Sequence, residues 1–360
     1  VKVNIVRIDK HPFSKRKIER ILIRAVNWLG DAVMTTPAIG AIRTAFPAAR
    51  ITLLATPLVA ELFSPHDLID DVLVYDRKGR HAGLPGRLRL SGELRARNFD
   101  LAILLQNAFD AALIAWLARI PVRIGYRTDG RGVLLSHGCP ITDETKRLHH
   151  VEYYLAMLAW FGIIPKEQSL SLLVTENEER GAAKVLMEAG IGVGDFLVGI
   201  NPGATYGSAK RWYPERFAAV ADELCQKWGA KVVITGGHGE KGIADEIAAA
   251  TKCNCFNLAG KTSVRQLMAV IKRCDFFLTN DSGPMHIAAA FDVPIAAIFG
   301  PTDQSTTSPF SERAVVIKPE VDCAPCLLRE CPTDHRCMTQ VTAAAVAEGC
   351  LKLLQRERSD

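Results

Sequence analysis

The sequence predicts an α/β fold built from two doubly wound, Rossmann-like units in succession. Three observations lead there. Apolar runs of strand length alternate with segments of helical spacing, the pattern of a parallel sheet covered by helices. The alternation lapses over residues 162–176 and then restarts. Finally, 360 residues with 48% hydrophobic and 23% charged side chains suit two globular cores of ordinary size. The boundary falls near residues 165–177, giving a first domain over 1–170, opened by a basic extension over 1–18, and a second domain over 171–360.

In the first half, residues 20–26 read as a strand and 31–46 as a helix, with Pro47 just behind it. Residues 50–55 are strand, 58–63 a short helix, 72–75 strand, 88–97 helix, 100–105 strand, 108–119 helix and 122–125 a short strand. An aromatic-rich helix over 149–161 precedes the linker. The second half offers a helix over 178–189, strands over 196–201, 231–235, 255–258, 276–279 and 295–299 with helices between them, and a closing helix over 343–356. In such folds ligands bind beyond the carboxyl ends of the strands, so the cleft between the two units is the expected site.

Composition excludes several classes. A net charge of +5 is too small to imply a nucleic-acid partner. Residues 1–19 carry Lys2, Arg7, Lys10, Lys15, Arg16 and Lys17 without an apolar segment, so no secretory signal is read and a cytoplasmic location is expected. The longest near-apolar stretch, 101–120, is interrupted by Gln106, Asn107 and Asp110, which fits a strand and a helix rather than a membrane span. Ten cysteines in a reducing compartment are read as buried thiols or metal ligands in preference to disulfides. Cys323, Cys326, Cys331 and Cys337, with His335 among them, have spacing for a structural zinc, the alternative being free thiols that pack a loop spanning 323–337.

The chemistry concentrates where strands run out. After the strand at 276–279 come Asn280, Asp281, Ser282 and Gly283, then an alanine-rich helix opened by Pro284. Its unpaired N–H groups and dipole form an anion site, most simply for a phosphate, to which Ser282 adds a hydroxyl and Gly283 a close backbone approach. Asp281 would repel a phosphate, so it either caps the helix or faces a hydroxyl-bearing group such as a sugar. After the first strand, Trp28-Leu29-Gly30-Asp31 lacks the GxGxxG of a dinucleotide crossover. Asp31 there is either an N-cap or a general base. The loop from Asn201 through Thr205 and Tyr206 to Lys210, Arg211 and Pro214 wraps a ligand with small residues and offers two adjacent cations, or is a solvated basic turn. Gly236 to Glu240 can meet ribose hydroxyls through Glu240, or Glu240 is simply a first-turn glutamate, and Leu258 to Thr262 can border an adenine or a ribose.

Taken in order, Trp28-x-Gly30-Asp31, Pro202-Gly203 ahead of Lys210-Arg211-Trp212-x-Pro214-Glu215, Gly236 to Glu240, Leu258-Ala259-Gly260-Lys261-Thr262, and Thr279-Asn280-Asp281-Ser282-Gly283-x-x-His286 with Gly300-Pro301 behind, resemble the ADP-heptose:lipopolysaccharide heptosyltransferases. The likeness spans roughly residues 20–355 and is nearer to heptosyltransferase II than to heptosyltransferase I. It implies a GT-B-type fold, with the lipid-linked acceptor on the first domain and ADP-heptose on the second. It also implies an inverting transfer that requires no metal or cofactor, in keeping with the absence of an Asp-x-Asp motif.

By the same resemblance, Asp31 would be the general base and Lys210 would hold the diphosphate, flanked by Thr205 and Tyr206. Glu240 would meet the ribose, Thr262 the base, Asp281 the donor heptose, and Ser282, Gly283 and His286 the phosphate. Trp28, Gly30, Arg127 and Arg131 would serve the acceptor. His286 alone reads equally as a packing residue, and His149 and His150 as residues at a helix start. The run Arg77, Lys78, Arg80, Arg87, Arg89, Arg95 and Arg97 is either a solvated face or a docking surface for an anionic inner membrane. It lacks interleaved stacking residues, which disfavours nucleic acid. Two rivals are an NAD-dependent oxidoreductase, which wants the missing glycine fingerprint, and a non-catalytic sugar-nucleotide or lipopolysaccharide-binding protein, which would tolerate loss of Asp31.

Overall fold

The computed structural model describes Phe13 and residues 17–359. The basic extension expected over 1–18 therefore lies almost wholly outside the described residues. The chain divides into two compact units between Leu173 and Val174.

The first unit is a six-stranded sheet of β1 (Arg20–Arg24), β2 (Arg50–Ala55), β3 (Asp71–Val74), β4 (Leu101–Leu104), β5 (Val122–Tyr126) and β6 (His137–Cys139) in the order β3-β2-β1-β4-β5-β6. All five pairings are parallel. Central strands buried on both faces have to be apolar throughout, and β4 (Leu-Ala-Ile-Leu) is buried at all four positions. Leu22, Leu104, Leu94 and Ile114 join sheet and helices in one core. Asp100 fixes the start of the sheet: its Oδ2 accepts from the N–H groups of Glu19 and Arg20, both at 2.9 Å.

The second unit repeats the plan with β7 (Leu197–Asn201), β8 (Lys231–Ile234), β9 (Cys255–Asn257), β10 (Phe276–Asn280), β11 (Ile295–Ile298) and β12 (Ala314–Ile317), ordered β12-β11-β10-β7-β8-β9. Its first helix, Glu176–Glu188, begins with a capping box, Thr175 and Glu178 satisfying each other's N–H groups. Asp275 plays the part of Asp100, accepting from the Leu197 N–H at 2.7 Å. The closing helix runs Ala343–Ser359 and buries Val346, Cys350 and Leu354 in the same core as Phe217 and Ile234.

Four expectations change. The helix expected over 31–46 is two, Leu29–Met34 and Thr36–Ala45, joined at Thr35, with Pro37 in the first turn of the second. The helix expected over 88–97 starts earlier, at Gly83. Strands β6 and β12 are additional: β6 is too short to carry a period, whereas Ala-Val-Val-Ile in β12 does carry a β-branched signal. Cys225 and Cys253, which bring the Pro214–Trp228 helix to the turn before β9, form a disulfide, where thiols had been expected. Among the described residues no helix is long and apolar enough to cross a membrane.

Candidate active site

A doubly wound sheet opens a crevice where its strand order reverses. In the first unit that point lies between β1 and β4, and in the second between β7 and β10. The segment Trp28-Leu29-Gly30-Asp31 leaves β1, whereas Asn201 to Lys210 leaves β7 and Asp281-Ser282 leaves β10. Three of the patches picked out in the sequence thus fall at the switch points of their own sheets, whereas Gly236 to Glu240 and Leu258 to Thr262 follow the neighbouring strands β8 and β9.

In the first unit Trp28, not Asp31, is the N-cap of the Leu29–Met34 helix, which corrects the cap reading. Asp31 lies in the first turn, where the helix dipole favours a carboxylate without consuming its oxygens. It is partly exposed, and its Oδ1 stands 3.2 Å from His150 Nδ1. His150 opens the helix His150–Trp160, and His149, its N-cap, accepts from the Val151 N–H at 3.3 Å. Buried Tyr154 closes one side of the pair; burial, and then the nearby Asp31, push its phenol well above the ordinary range. His150 is the functional candidate that sequence reasoning left at a helix start, because 119 residues separate it from Asp31.

The loop after β5 treats its two arginines differently. Arg127 is exposed. Arg131 is fully buried: Nε donates to the Tyr126 carbonyl at 2.8 Å, Nη2 to Asn107 Oδ1 at 2.9 Å, and Nη1 to the Gln106 carbonyl. Burial lowers its pKa to about 10. Arg131 was expected to contact an acceptor; here its guanidinium is committed to holding that loop, and Asn107 in turn donates to Tyr153 Oη at 2.7 Å. Arg24 is a second buried arginine, at the end of β1, donating to Asn27 Oδ1 at 3.0 Å and lying 5.3 Å from the Tyr75 ring centre. Its pKa too is lowered to about 10 by burial.

In the second unit the loops converge. Lys210 Nζ bonds Asp281 Oδ2 at 2.6 Å, with side chains 13% and 5% exposed. Thr302 Oγ1 donates to the same oxygen at 2.6 Å. A buried ion pair needs such extra hydrogen bonds to offset its desolvation. Thr302 was not anticipated, although it follows directly on Gly300-Pro301. Ser282 is the N-cap of the Gly283–Ala290 helix, and its hydroxyl sits between Asn201 Nδ2 (3.2 Å) and Thr279 Oγ1 (3.1 Å). Asn280 ties the two loops, donating to the Pro202 carbonyl at 2.7 Å and accepting from the Trp212 N–H at 3.2 Å.

Tyr206 is half-buried, with Lys210 Nζ 5.0 Å from its ring centre, and Thr205 beside it is exposed. The carboxylate of Glu240 accepts from the Gly237 N–H at 2.7 Å and lies so close to Gly203 that a Cβ there would come within 2.0 Å of it. The turns after β7 and β8 meet there, with the end of the Glu240 side chain filling the space beside Gly203. Thr262 is half-buried, just ahead of Ser263, which caps the Val264–Arg273 helix; His286 is buried at 3% exposure and Gly283 half-buried.

The cysteine loop departs from the zinc expectation. Cys323 and Cys326 are exposed, Cys331 half-buried and Cys337 buried. Among the described residues no group of three or more His, Cys, Asp or Glu is placed to hold a metal ion. Burial, reinforced by the three other thiols nearby, raises Cys337 to about 11.

Residues 87–336 match the model of glycosyltransferase family 9 (heptosyltransferase). The chain belongs to that family. It is 32% identical over 307 residues to lipopolysaccharide heptosyltransferase 2 of Salmonella typhimurium, covering 83% of this chain and 88% of that one. Its fold is similar to that of the E. coli ADP-heptose lipopolysaccharide heptosyltransferase II, with a TM-score of 0.80 and 28% identity over 94% of this chain and 99% of the other. The family 9 glycosyltransferase of Veillonella parvula gives a TM-score of 0.85 at 25% identity, covering 95% and 99%. This family 9 chain is therefore a glycosyltransferase of GT-B type, similar to heptosyltransferase II, and the oxidoreductase alternative falls away.

Proposed function

We propose that this glycosyltransferase moves heptose from ADP-heptose to the inner core of lipopolysaccharide, with a heptosyl-Kdo-lipid A acceptor, by an inverting and metal-independent displacement. The observation that carries the reading is the placement of a helix-start carboxylate at one switch point and a lysine beside a helix N-terminus at the other. The names of the relatives supply the donor and the acceptor class.

Asp31 accepts the proton of the attacking hydroxyl as the bond to the anomeric carbon forms. Its contact with His150 orients the carboxylate. Lys210 and the N–H groups at the start of the Gly283–Ala290 helix take up the charge that develops on departing ADP. Asp281, held by Thr302, faces the donor heptose; Thr205 and Tyr206 flank the diphosphate with His286; Glu240 meets the ribose, and Thr262 borders the base. Trp28, Gly30 and Arg127 serve the acceptor.

The basic run supports peripheral contact with an anionic membrane from the cytoplasmic side. On the helix Gly83–Arg95, Leu84 and Leu88 are 59% and 52% exposed one turn apart, with Arg89 and Arg95 also exposed. Exposed leucines among arginines suit the interface of an anionic bilayer. Replacing both leucines by Asp is expected to lower binding to phosphatidylglycerol-containing vesicles several-fold while ADP affinity is unchanged.

The deciding assay supplies ADP-heptose with two truncated acceptors, one ending in Kdo and one in heptose. Turnover on the heptose-terminated acceptor is expected. Turnover on the Kdo-terminated one alone would reassign the chain to heptosyltransferase I activity, and donor binding with no turnover on either would leave a binding protein.

A further inference from the structure

The loop that carries Lys210 is held by the cysteine-rich segment. Ala209, the residue before Lys210, is gripped at both backbone groups: its N–H donates to the Arg329 carbonyl at 3.0 Å, and its carbonyl accepts from His335 Nε2 at 2.7 Å. Tyr206 Oη donates to the Leu327 carbonyl at 2.8 Å. A Cβ on Gly207 would lie 2.1 Å from the Arg329 carbonyl oxygen, so this approach requires the glycine. His335 adopts a left-handed backbone (φ 54°, ψ 32°), a costly conformation for a non-glycine residue, and its Nδ1 is 3.3 Å from Tyr213 Oη.

Charge gives the segment a second part. Lys210 is the lysine of the diphosphate loop, but with Asp281 it forms a pair of zero net charge, whereas a nucleoside diphosphate carries at least two negative charges. Arg329 is exposed, its guanidinium lies 5.2 Å from the ring centre of Tyr206, the ring that Lys210 also approaches, and among the described residues no carboxylate pairs with it.

We infer that residues 327–335 are part of the donor site: His335 is a positioning residue for the Lys210 loop, and Arg329 is a second cation for the diphosphate of the donor. The inference rests on the reading of Lys210 as a diphosphate ligand. Its test titrates ADP and adenosine into the full chain and its variants, with thermal midpoints as the folding control. Arg329→Gln is expected to weaken ADP by roughly tenfold, the scale of one charge-assisted hydrogen bond, and to leave adenosine unchanged, while Arg329→Lys recovers most of the loss. His335→Ala is expected to weaken ADP more than adenosine, with Gln in its place restoring part of the affinity.

Wild-type ADP affinity in Arg329→Gln, set beside a loss in Lys210→Met, would overturn the role of Arg329 and leave the donor reading standing. Wild-type affinity in Lys210→Met as well would remove the donor reading itself. An equal loss of ADP and adenosine in His335→Ala would reduce His335 to a fold residue.

Discussion

The first unit orders its strands β3-β2-β1-β4-β5-β6, and the second, taken from its other edge, repeats this as β9-β8-β7-β10-β11-β12. Even the fastening at the base of the sheet recurs, with Asp100 and Asp275 each accepting N–H bonds at the start of the strand that precedes the crevice. What differs is the chemistry that leaves the strand ends. Beyond β1 stands a partly exposed carboxylate facing an imidazole. Beyond β7 and β10 stands a buried ammonium-carboxylate pair beside a helix N-terminus. One scaffold is used twice, and the first few residues after each strand give the two units different chemistry; in the proposed mechanism the first supplies the base and the second the ligands of the leaving group.

Variants can break that division. The largest effect is expected from Asp31→Asn, which preserves shape but removes the basic oxygen: kcat for heptosyl transfer should fall by roughly a thousandfold, within the range of general-base loss. An activity within threefold of wild type would take the base from the first unit. Lys210→Met should cost roughly a hundredfold in kcat/KM, since it removes the charge proposed to meet the leaving group and strands the Asp281 carboxylate in a buried setting. His150→Phe should lower kcat about tenfold with an unchanged melting midpoint, and His150→Gln, which keeps a donor for Asp31, should recover part of that.

The smallest effect sharpens the comparison from the side of stability. Glu178 makes a two-pronged contact with Arg265, Oε1 to Nε at 2.7 Å and Oε2 to Nη2 at 2.6 Å, clamping the first helix of the second unit onto the helix Val264–Arg273. Hydrogen bonding from Arg265 lowers its carboxyl from 4.5 to about 2. A depressed carboxyl contributes stability that is complete above the unfolded value and is lost as pH falls through the folded one. Glu178→Gln should therefore lower stability by about 1–2 kcal/mol at neutral pH, and the gap from wild type should close between roughly pH 4.5 and 2. Denaturant melts across that range check it.

Most of the fold was legible because strand and helix periods alternate strongly, and the switch-point motifs were legible because glycine, proline and charge cluster where strands end. Long-range partners were not. His150 meets Asp31 across 119 residues, and Thr302 and Asp281 are 21 apart; no local pattern encodes either contact. Arg131 misled in the opposite sense, since an arginine in a polar loop reads as a ligand-binding cation until the carbonyls it satisfies are seen. Irregular segments such as 323–337 also have no period to follow, and cysteine spacing suggested a metal where the backbone carbonyls of Leu327 and Arg329 do the holding.

The division of labour is tested most directly by titrating ADP into Asp31→Asn and Lys210→Met side by side. The expected result is wild-type affinity in the first and a large loss in the second. If Asp31→Asn loses ADP as severely as Lys210→Met, or Lys210→Met retains it, then base and leaving-group ligands do not belong to separate units.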